Sequence, residues 1–193
     1  PNQIQMIRYH SSIKYRVLEV MIRIKLLIQT LIKITVIIFL STKISLANFE
    51  DSMNAINEGN YEKAIKELKP LANQGDPRAQ FWYGNLIFNG FGTSKNMKKG
   101  IEWYRLSAKK NFSLALHEIG NIYHNALGVE QDIAEAIKWY EKALSQEELN
   151  ISYHNLGLIY HYGSNSVESN ANKAIELYEK AANLDYIGSM QNL

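Results

Sequence analysis

The chain has 193 residues, 46% of them hydrophobic and 21% charged, which is the composition of an ordinary globular protein and excludes a disordered one. Its net charge of +2 arises near the N-terminus, because residues 1–48 hold seven of the 21 basic residues and only one of the 19 acidic ones. The remaining residues include 14 basic and 18 acidic ones and carry a net charge of −4. Such an acidic body gives little support for nucleic-acid binding, and the absence of cysteine excludes disulfides, thiolate metal sites and a cysteine nucleophile.

Residues 21–47 have the order of regions found in a secretory signal peptide. Basic residues follow Met21, an uncharged stretch runs from Ile34 to Leu40, and small residues lead up to Ala47. Ser45 and Ala47 occupy the −3 and −1 positions of a cleavage after Ala47, the small-x-small pattern of a cleavage site. We therefore predict a signal peptide over residues 21–47, a mature protein that begins at Asn48, and an exported location, periplasmic or secreted.

The alternative to a cleaved signal peptide is a segment that stays attached to the protein. An uncleaved segment would anchor the protein in a membrane, but a transmembrane helix needs roughly 20 apolar residues, and lysines interrupt the stretch. The chain begins with Pro1 rather than methionine, so we interpret residues 1–20 as an upstream extension, with Met21 or Met6 as the start.

Residues 48–193 contain an internal repeat of 36 to 38 residues. A block of the form Ile-x-(Trp or Leu)-Tyr begins at Ile101, Ile137 and Ile175. A glycine that follows a Tyr, Ile or Leu precedes each block, at Gly84, Gly120 and Gly157. Self-similarity of this length predicts two helices and a loop per repeat. We place a first helix pair at about residues 49–75, repeats at about 76–111, 112–147 and 148–185, and a truncated next repeat at 186–193.

The spacing of apolar residues within each repeat predicts helices. Ile137, Tyr140 and Leu144 fall at i, i+3 and i+7, on one face of a 3.6-residue period. The three repeat glycines would lie inside helices, where glycine costs about 0.5–1 kcal/mol relative to alanine. We therefore expect the partner helix to approach too closely for a β-carbon. Pro70, inside the second helix of the first pair, predicts a bend or a short break near Lys69.

The second repeat carries a pattern that resembles a known family. The pattern is Ala115-x-x-x-Ile119-Gly120-x-x-Tyr123, then Gly128-Val129-x-x-Asp132, then Ala136-Ile137-x-Trp139-Tyr140-x-x-Ala143. It resembles the Sel-one-like repeat, a relative of the tetratricopeptide repeat, and the resemblance extends from about Phe49 to Leu193. It implies an all-α fold, a right-handed solenoid of antiparallel two-helix repeats. It also implies a scaffold or adaptor role in assembling protein complexes, and no chemistry.

The resemblance further implies which side chains face a partner. In tetratricopeptide-like arrays the first helix of each pair lines the concave surface, through positions three before and one, four and five after the repeat glycine. In this sequence those positions, which we call the inner-surface residues, are Phe81, Asn85, Phe88, Asn89, His117, Asn121, His124, Asn125, His154, Leu158, His161 and Tyr162. Four of the five histidines of the chain therefore occupy two equivalent repeat positions.

Three interpretations of the inner-surface residues remain open. In the first, the residues only pack or solvate a curved surface. In the second, they form a groove for a peptide or a partner helix, in which Asn amides pair with the ligand backbone. In the third, their histidines bind a metal. Residues seven apart on a helix are separated by about 10.5 Å, too far for one zinc ion, so only a pair from two repeats, such as His117 with His154, could converge. In a groove, imidazoles that titrate near pH 6.5 would make the affinity change between about pH 5.5 and 7.5.

The sequence contains no signature of catalysis. It has no phosphate-binding glycine loop, no His-Glu-x-x-His motif and no serine elbow, and we expect Trp103 and Trp139 to pack between helices. We predict a non-enzyme without metal or cofactor that binds a protein or peptide, does not bind nucleic acid, and meets a membrane only through an uncleaved signal. The sequence stops one residue before the next expected glycine. The alternative function is therefore that of a repeat region in a larger protein whose main activity lies beyond Leu193.

Overall fold

The computed structural model describes residues 2–190, and within them it contains helices and no strand. The helices are α1 (Asn2–Asn57), α2 (Tyr61–Asn73), α3 (Pro77–Asn89), α4 (Met97–Ala108), α5 (Ser113–His124), α6 (Ile133–Leu144), α7 (Asn150–Tyr162), α8 (Ala171–Asn183) and α9 (Ile187–Met190). The fold is all-α, a right-handed solenoid of antiparallel two-helix repeats, which confirms the predicted class.

The chain divides into two compact units between Ala47 and Asn48. In the first unit the segment Lys14–Ser41 is 28 residues long, has a mean hydropathy of 2.0 and is exposed along its length. It is long and apolar enough to cross a membrane, so the lysines interrupt it less than we expected from the sequence. Since a signal sequence meets the same criterion, the cleaved signal stays a prediction.

The second unit is built from stacked helix pairs. Helix α3 packs on α4, α5 on α6 and α7 on α8, and contacts between α4 and α5 and between α6 and α7 join one pair to the next. At the N-terminal side of this stack, α2 packs on α3, and Ala55 of α1 lies in the same core. Each interface buries apolar side chains that a single pair would leave in water, which is how a solenoid gains its stability.

A polar residue begins the second helix of each repeat. The side chains of Asn96, Asp132 and Asn170 each accept a hydrogen bond from the backbone N–H three residues further on. The backbone N–H groups of the same residues donate to the carbonyls of Ile87, Tyr123 and Tyr160, at 2.7–3.1 Å. Each capping residue therefore both starts the second helix and ties it to the last turn of the first.

The repeat glycines lie where the paired helices touch. A β-carbon at Gly157 would stand 2.5 Å from the ring of Tyr178, and one at Gly120 would stand 2.8 Å from the ring of Tyr140. At Gly84 the nearest atom would be the β-carbon of Trp103, at 2.8 Å. The predicted close approach is confirmed.

The predicted break at Pro70 is wrong, because α2 runs without interruption from Tyr61 to Asn73. Proline removes the hydrogen bond from its own N–H to the carbonyl four residues before it. Pro70 lies in the last turns of the helix, and its neighbours Leu68 and Leu71 are buried in the core. Their burial holds the helix together through the missing bond.

Candidate functional site

The twelve inner-surface residues differ in exposure. Four are exposed: Asn89, Asn125, His161 and Tyr162. Six are half-buried: Asn85, Phe88, Asn121, His124, His154 and Leu158. Phe81 and His117 are buried, at 5% and 3% exposure. These two side chains pack inside the chain and cannot meet a partner at this surface, which corrects their assignment; the other ten remain candidates.

His117 and His154 join successive repeats. The Nδ1 atom of His117 lies 2.8 Å from Oγ of Ser152 on α7, and Nδ1 of His154 lies 2.8 Å from Oγ of Ser189 on α9. Each pair spans 35 residues and forms the same hydrogen bond one repeat further on. The sequence-based pairing of His117 with His154 as metal ligands is therefore replaced by two His–Ser contacts.

Burial determines the charge of these imidazoles. Desolvation lowers the pKa of His117 from 6.5 to about 4, and it also lowers the pKa values of His124 and His154. His117 is therefore neutral throughout the range between pH 5.5 and 7.5. It takes no part in the pH dependence of binding that the sequence suggested for all four histidines.

Three equivalent tyrosines bring their hydroxyls to the inner-surface residues. The rings of Tyr104, Tyr140 and Tyr178 are at most 1% exposed. The amide of Asn85 donates to the hydroxyl of Tyr104 at 3.2 Å, and Nδ1 of His124 lies 3.4 Å from the hydroxyl of Tyr140. His161 and Tyr178 repeat the second contact, also at 3.4 Å. These long hydrogen bonds are weak, so the polar groups can exchange them for bonds to a ligand.

Glu118 is a residue that the sequence analysis missed. Its half-buried carboxylate accepts a hydrogen bond from the Asn121 amide at 3.3 Å. Burial raises the pKa values of the Tyr104 and Tyr140 hydroxyls, and the charge of Glu118 adds to this increase in both. Burial in turn raises the pKa of Glu118. The residue stands two positions before Gly120, outside the four offsets that we considered, and Asn155 holds the equivalent position in the next repeat.

Exposed amides continue from this carboxylate along α5 and α3. The Asn125 amide donates to the side-chain oxygen of Asn121 at 2.6 Å, and the Asn89 amide donates to the backbone oxygen of Asn85 at 3.0 Å. An amide side chain can donate and accept at once. The surface therefore offers a carboxylate, amides, imidazoles and phenol groups in a row that crosses successive repeats.

Metal ligands do not converge in the part of the chain that the structure describes. Among the side chains that the structure describes, no group of three or more His, Asp or Glu could hold a metal ion. The Nδ1 atoms of the four inner-surface histidines instead face hydroxyl groups.

Comparison with protein families gives three matches to the Sel1 repeat, at residues 77–112, 113–147 and 151–186. A search of curated protein sequences gave no significant match. The matched segments begin and end close to the helix pairs α3–α4, α5–α6 and α7–α8.

Solved structures share this architecture. A Sel1 repeat protein from Oxalobacter formigenes is 28% identical with a TM-score of 0.68, over 75% of this chain and 60% of that chain. The protective antigen c5321 of uropathogenic Escherichia coli is 26% identical with a TM-score of 0.65, over 75% of this chain and 31% of that one. The cysteine rich protein B of Helicobacter pylori shares the fold at 20% identity, with a TM-score of 0.54 over 68% of this chain and 96% of its own. The chain thus spans less than two thirds of the length of the first two.

Proposed function

The chain belongs to the Sel1 repeat family, and we propose that it is an exported interaction module that binds a protein or peptide along the inner-surface residues. Sel1 repeat proteins are in general protein-interaction modules, and their family is a non-catalytic scaffold family. The proposal adds to this general role a location outside the cytoplasm and a particular surface.

The observation that carries the proposal is the environment of Glu118. Its half-buried carboxylate accepts a hydrogen bond from the Asn121 amide, acts electrostatically on the buried hydroxyls of Tyr104 and Tyr140, and is partly desolvated by burial. A charge that is partly removed from water gains more from a ligand donor than a fully solvated one does. We expect the partner to place a lysine, an arginine or backbone N–H groups against Glu118.

The amides on either side favour an extended peptide segment. Asn125 and Asn89 are exposed one repeat apart, and each belongs to a pair of Asn residues four positions apart on its helix. An extended backbone presents N–H and C=O groups that such amides can bind. The ring of Tyr162, which is 76% exposed, adds apolar contact area at the next repeat.

A photo-crosslinking experiment tests the surface. We replace Asn125 with p-benzoylphenylalanine in the full chain, and Glu141, an exposed residue of α6, in a matched control. Irradiation in the producing cells should give a defined adduct from position 125 and none from position 141. The crosslinked protein is then identified by mass spectrometry and purified.

The purified partner then tests Glu118. Glu118→Gln keeps the size of the side chain and removes its charge, so the dissociation constant measured by calorimetry should rise about tenfold, which corresponds to about 1.4 kcal/mol. Glu141→Lys should change it less than twofold. Equal adducts at positions 125 and 141, or a loss of affinity in Glu141→Lys as large as in Glu118→Gln, would contradict the assignment.

The proposed export depends on the N-terminal segment. Its span from Lys14 to Ser41 meets the length and hydropathy requirements of a signal or an anchor, and Ser45 and Ala47 supply the cleavage pattern. The similar c5321 structure belongs to a protective antigen, which supports a location exposed to the outside. The alternative location is the membrane, with the uncleaved segment as the anchor.

A second candidate function is that of a repeat region within a larger protein. The chain covers 60% and 31% of the two most similar structures described above. Repeat arrays of this kind are extended by adding further pairs. In that case the main activity lies beyond Leu193, and the downstream reading frame decides between a short closing helix and a further domain.

A further inference from the structure

A second surface lies between α4 and α6, the second helices of two successive repeats. The pocket there has a volume of about 380 Å³. It is lined by Arg105, Leu106, Ala108, Lys109, Trp139 and Lys142, none of which is an inner-surface residue.

The floor of the pocket is apolar. Ala108 is buried, Trp139 is half-buried and Leu106 is 42% exposed, unusually open for a leucine in this unit. The indole N–H of Trp139 donates to the carboxylate of Glu135 at 2.9 Å. That bond satisfies the polar atom of the indole and leaves the ring available for apolar contact.

Three cations surround this floor. Among residues 2–190, neither Arg105, Lys109 nor Lys142 forms an ion pair with an acidic side chain, and the Nζ atom of Lys142 stands 5.4 Å from the centre of the Trp139 ring. Residues 49–193 carry a net charge of −4. The three cations that lack an ion-pair partner therefore make this pocket locally positive, although the repeat region as a whole is negative.

The combination is specific to this pair of repeats. One repeat further on, the positions of Arg105, Leu106 and Lys109 hold Glu141, Lys142 and Ser145. Leu177 stands there at the position of Trp139. The groove between α6 and α8 therefore lacks both the indole and the arrangement of charges, although the backbone repeats.

We propose that this pocket binds an acidic peptide segment of a partner protein, with a large apolar side chain on Leu106 and Trp139 and flanking carboxylates on Arg105, Lys109 and Lys142. Arginine binds a carboxylate through two parallel hydrogen bonds. Four of the six lining residues are exposed, so the pocket covers one side of a ligand. That suits a side chain of a peptide, because sites for free small molecules enclose most of the ligand surface. The site is independent of the inner-surface residues.

A designed peptide tests the proposal. The probe is a fluorescein-labelled twelve-residue peptide with a central Leu-Phe pair and two aspartates on each side, added to the full chain in a neutral detergent. Fluorescence anisotropy should give a dissociation constant below about 1 mM, and it should weaken with added salt because exposed charges are screened. In an NMR spectrum of the ¹⁵N-labelled protein, the indole signal of Trp139 should shift while that of Trp103 stays in place.

Two variants with the same change in charge provide the comparison. Arg105→Glu with Lys109→Glu should weaken probe binding at least tenfold, whereas Lys98→Glu with Lys99→Glu, at the other end of α4, should change it less than twofold. Leu106→Glu tests the apolar floor and should also weaken binding at least tenfold. All of these side chains are exposed, and an unchanged urea midpoint checks that each variant folds.

Three outcomes would overturn the proposal. One is equal binding by both double variants. Another is equally tight binding of a probe that carries lysines in place of aspartates. The third is binding of octanoate with the same variant dependence but no binding of the peptide, which would assign the pocket to a small amphipathic carboxylate.

Discussion

At the scale of single residues, the buried contact between repeats has two chemical forms. Two of these contacts are hydrogen-bonded pairs, His117 with Ser152 and His154 with Ser189. The equivalent contact between the first and second repeats is made by Phe81 and Ala115, which lie in one apolar cluster. The ring at the first position packs on the equivalent tyrosine of its own repeat in each case. Both members change together, so neither form leaves half of a His–Ser hydrogen bond unpaired at this contact.

The Phe–Ala contact predicts the effect of replacing a His–Ser pair by the same two apolar residues. The Phe81 ring centre lies 5.6 Å from that of Tyr104, and the His117 ring centre lies 5.2 Å from that of Tyr140. His117→Phe with Ser152→Ala should therefore fold, since the chain already contains that pair. The two forms differ in how their stability depends on pH.

Because the pKa of His117 is lowered to about 4 in the folded protein, its protonation favours the unfolded chain. The stability is complete above pH 6.5, the ordinary pKa of His, and is lost as the pH falls from 6.5 towards 4. The wild type should lose about 2 kcal/mol more of its free energy of unfolding between pH 7 and 5 than the double variant does. Urea unfolding followed by fluorescence at the two pH values measures this, and equal losses would refute it.

At the scale of helices, contact between glycine and tyrosine sets the spacing of each repeat pair. Tyr140 and Tyr178 are fully buried, and their rings cover Gly120 and Gly157 on the facing helix. The capping residues Asp132 and Asn170 then fix where the second helix starts. The close packing and the caps together determine how α5 meets α6 and how α7 meets α8.

Gly157→Ala should destabilise the protein although alanine is the better helix former. A β-carbon would stand 2.5 Å from the Tyr178 ring, and overpacking of this kind costs about 1–3 kcal/mol, more than the gain of about 1 kcal/mol in helix propensity. Chemical denaturation should show a net loss of about 1 kcal/mol. Asn172→Ala, at an exposed position of α8, should change the stability by less than about 0.5 kcal/mol. A Gly157→Ala protein as stable as this control would show that the two helices can move apart freely.

At the scale of the whole molecule, charge separates the two units. The basic residues of the N-terminal unit accompany an exposed apolar helix, while the repeat unit is acidic and carries its own basic pocket between α4 and α6. Exposed apolar side chains in such numbers are unfavourable in water. The N-terminal unit is therefore suited to a membrane or to the export machinery, and the repeat unit to water.

Ala47→Arg tests how the segment is processed. Because signal peptidase needs a small residue before the cut, the wild type expressed in a bacterium should be recovered as a chain that begins at Asn48, and the variant should keep its N-terminal segment. Intact mass spectrometry distinguishes the two products. If both chains keep the segment and sediment with membranes, the protein is anchored.

The sequence by itself determined the class of fold, because the period of 36 to 38 residues and the three glycines follow from contacts that every repeat must make. It also determined the rows of equivalent positions on which the candidate surface lies. It did not reveal the surroundings of Glu118 or the pocket that Trp139 forms with its neighbouring cations, because these depend on which side chains of different repeats meet.

Only the tertiary structure decided which of the inner-surface residues are exposed and which are buried. His117 and His154 occupy the same repeat position, yet the first is buried and the second is half-buried. The physical reason is the set of neighbours: His117 contacts Tyr140 and Ser152, whereas His154 contacts Tyr178, Tyr186 and Ser189. A one-dimensional pattern fixes the position of a side chain on its own helix, whereas its burial and its pKa are set by the neighbours that packing brings against it.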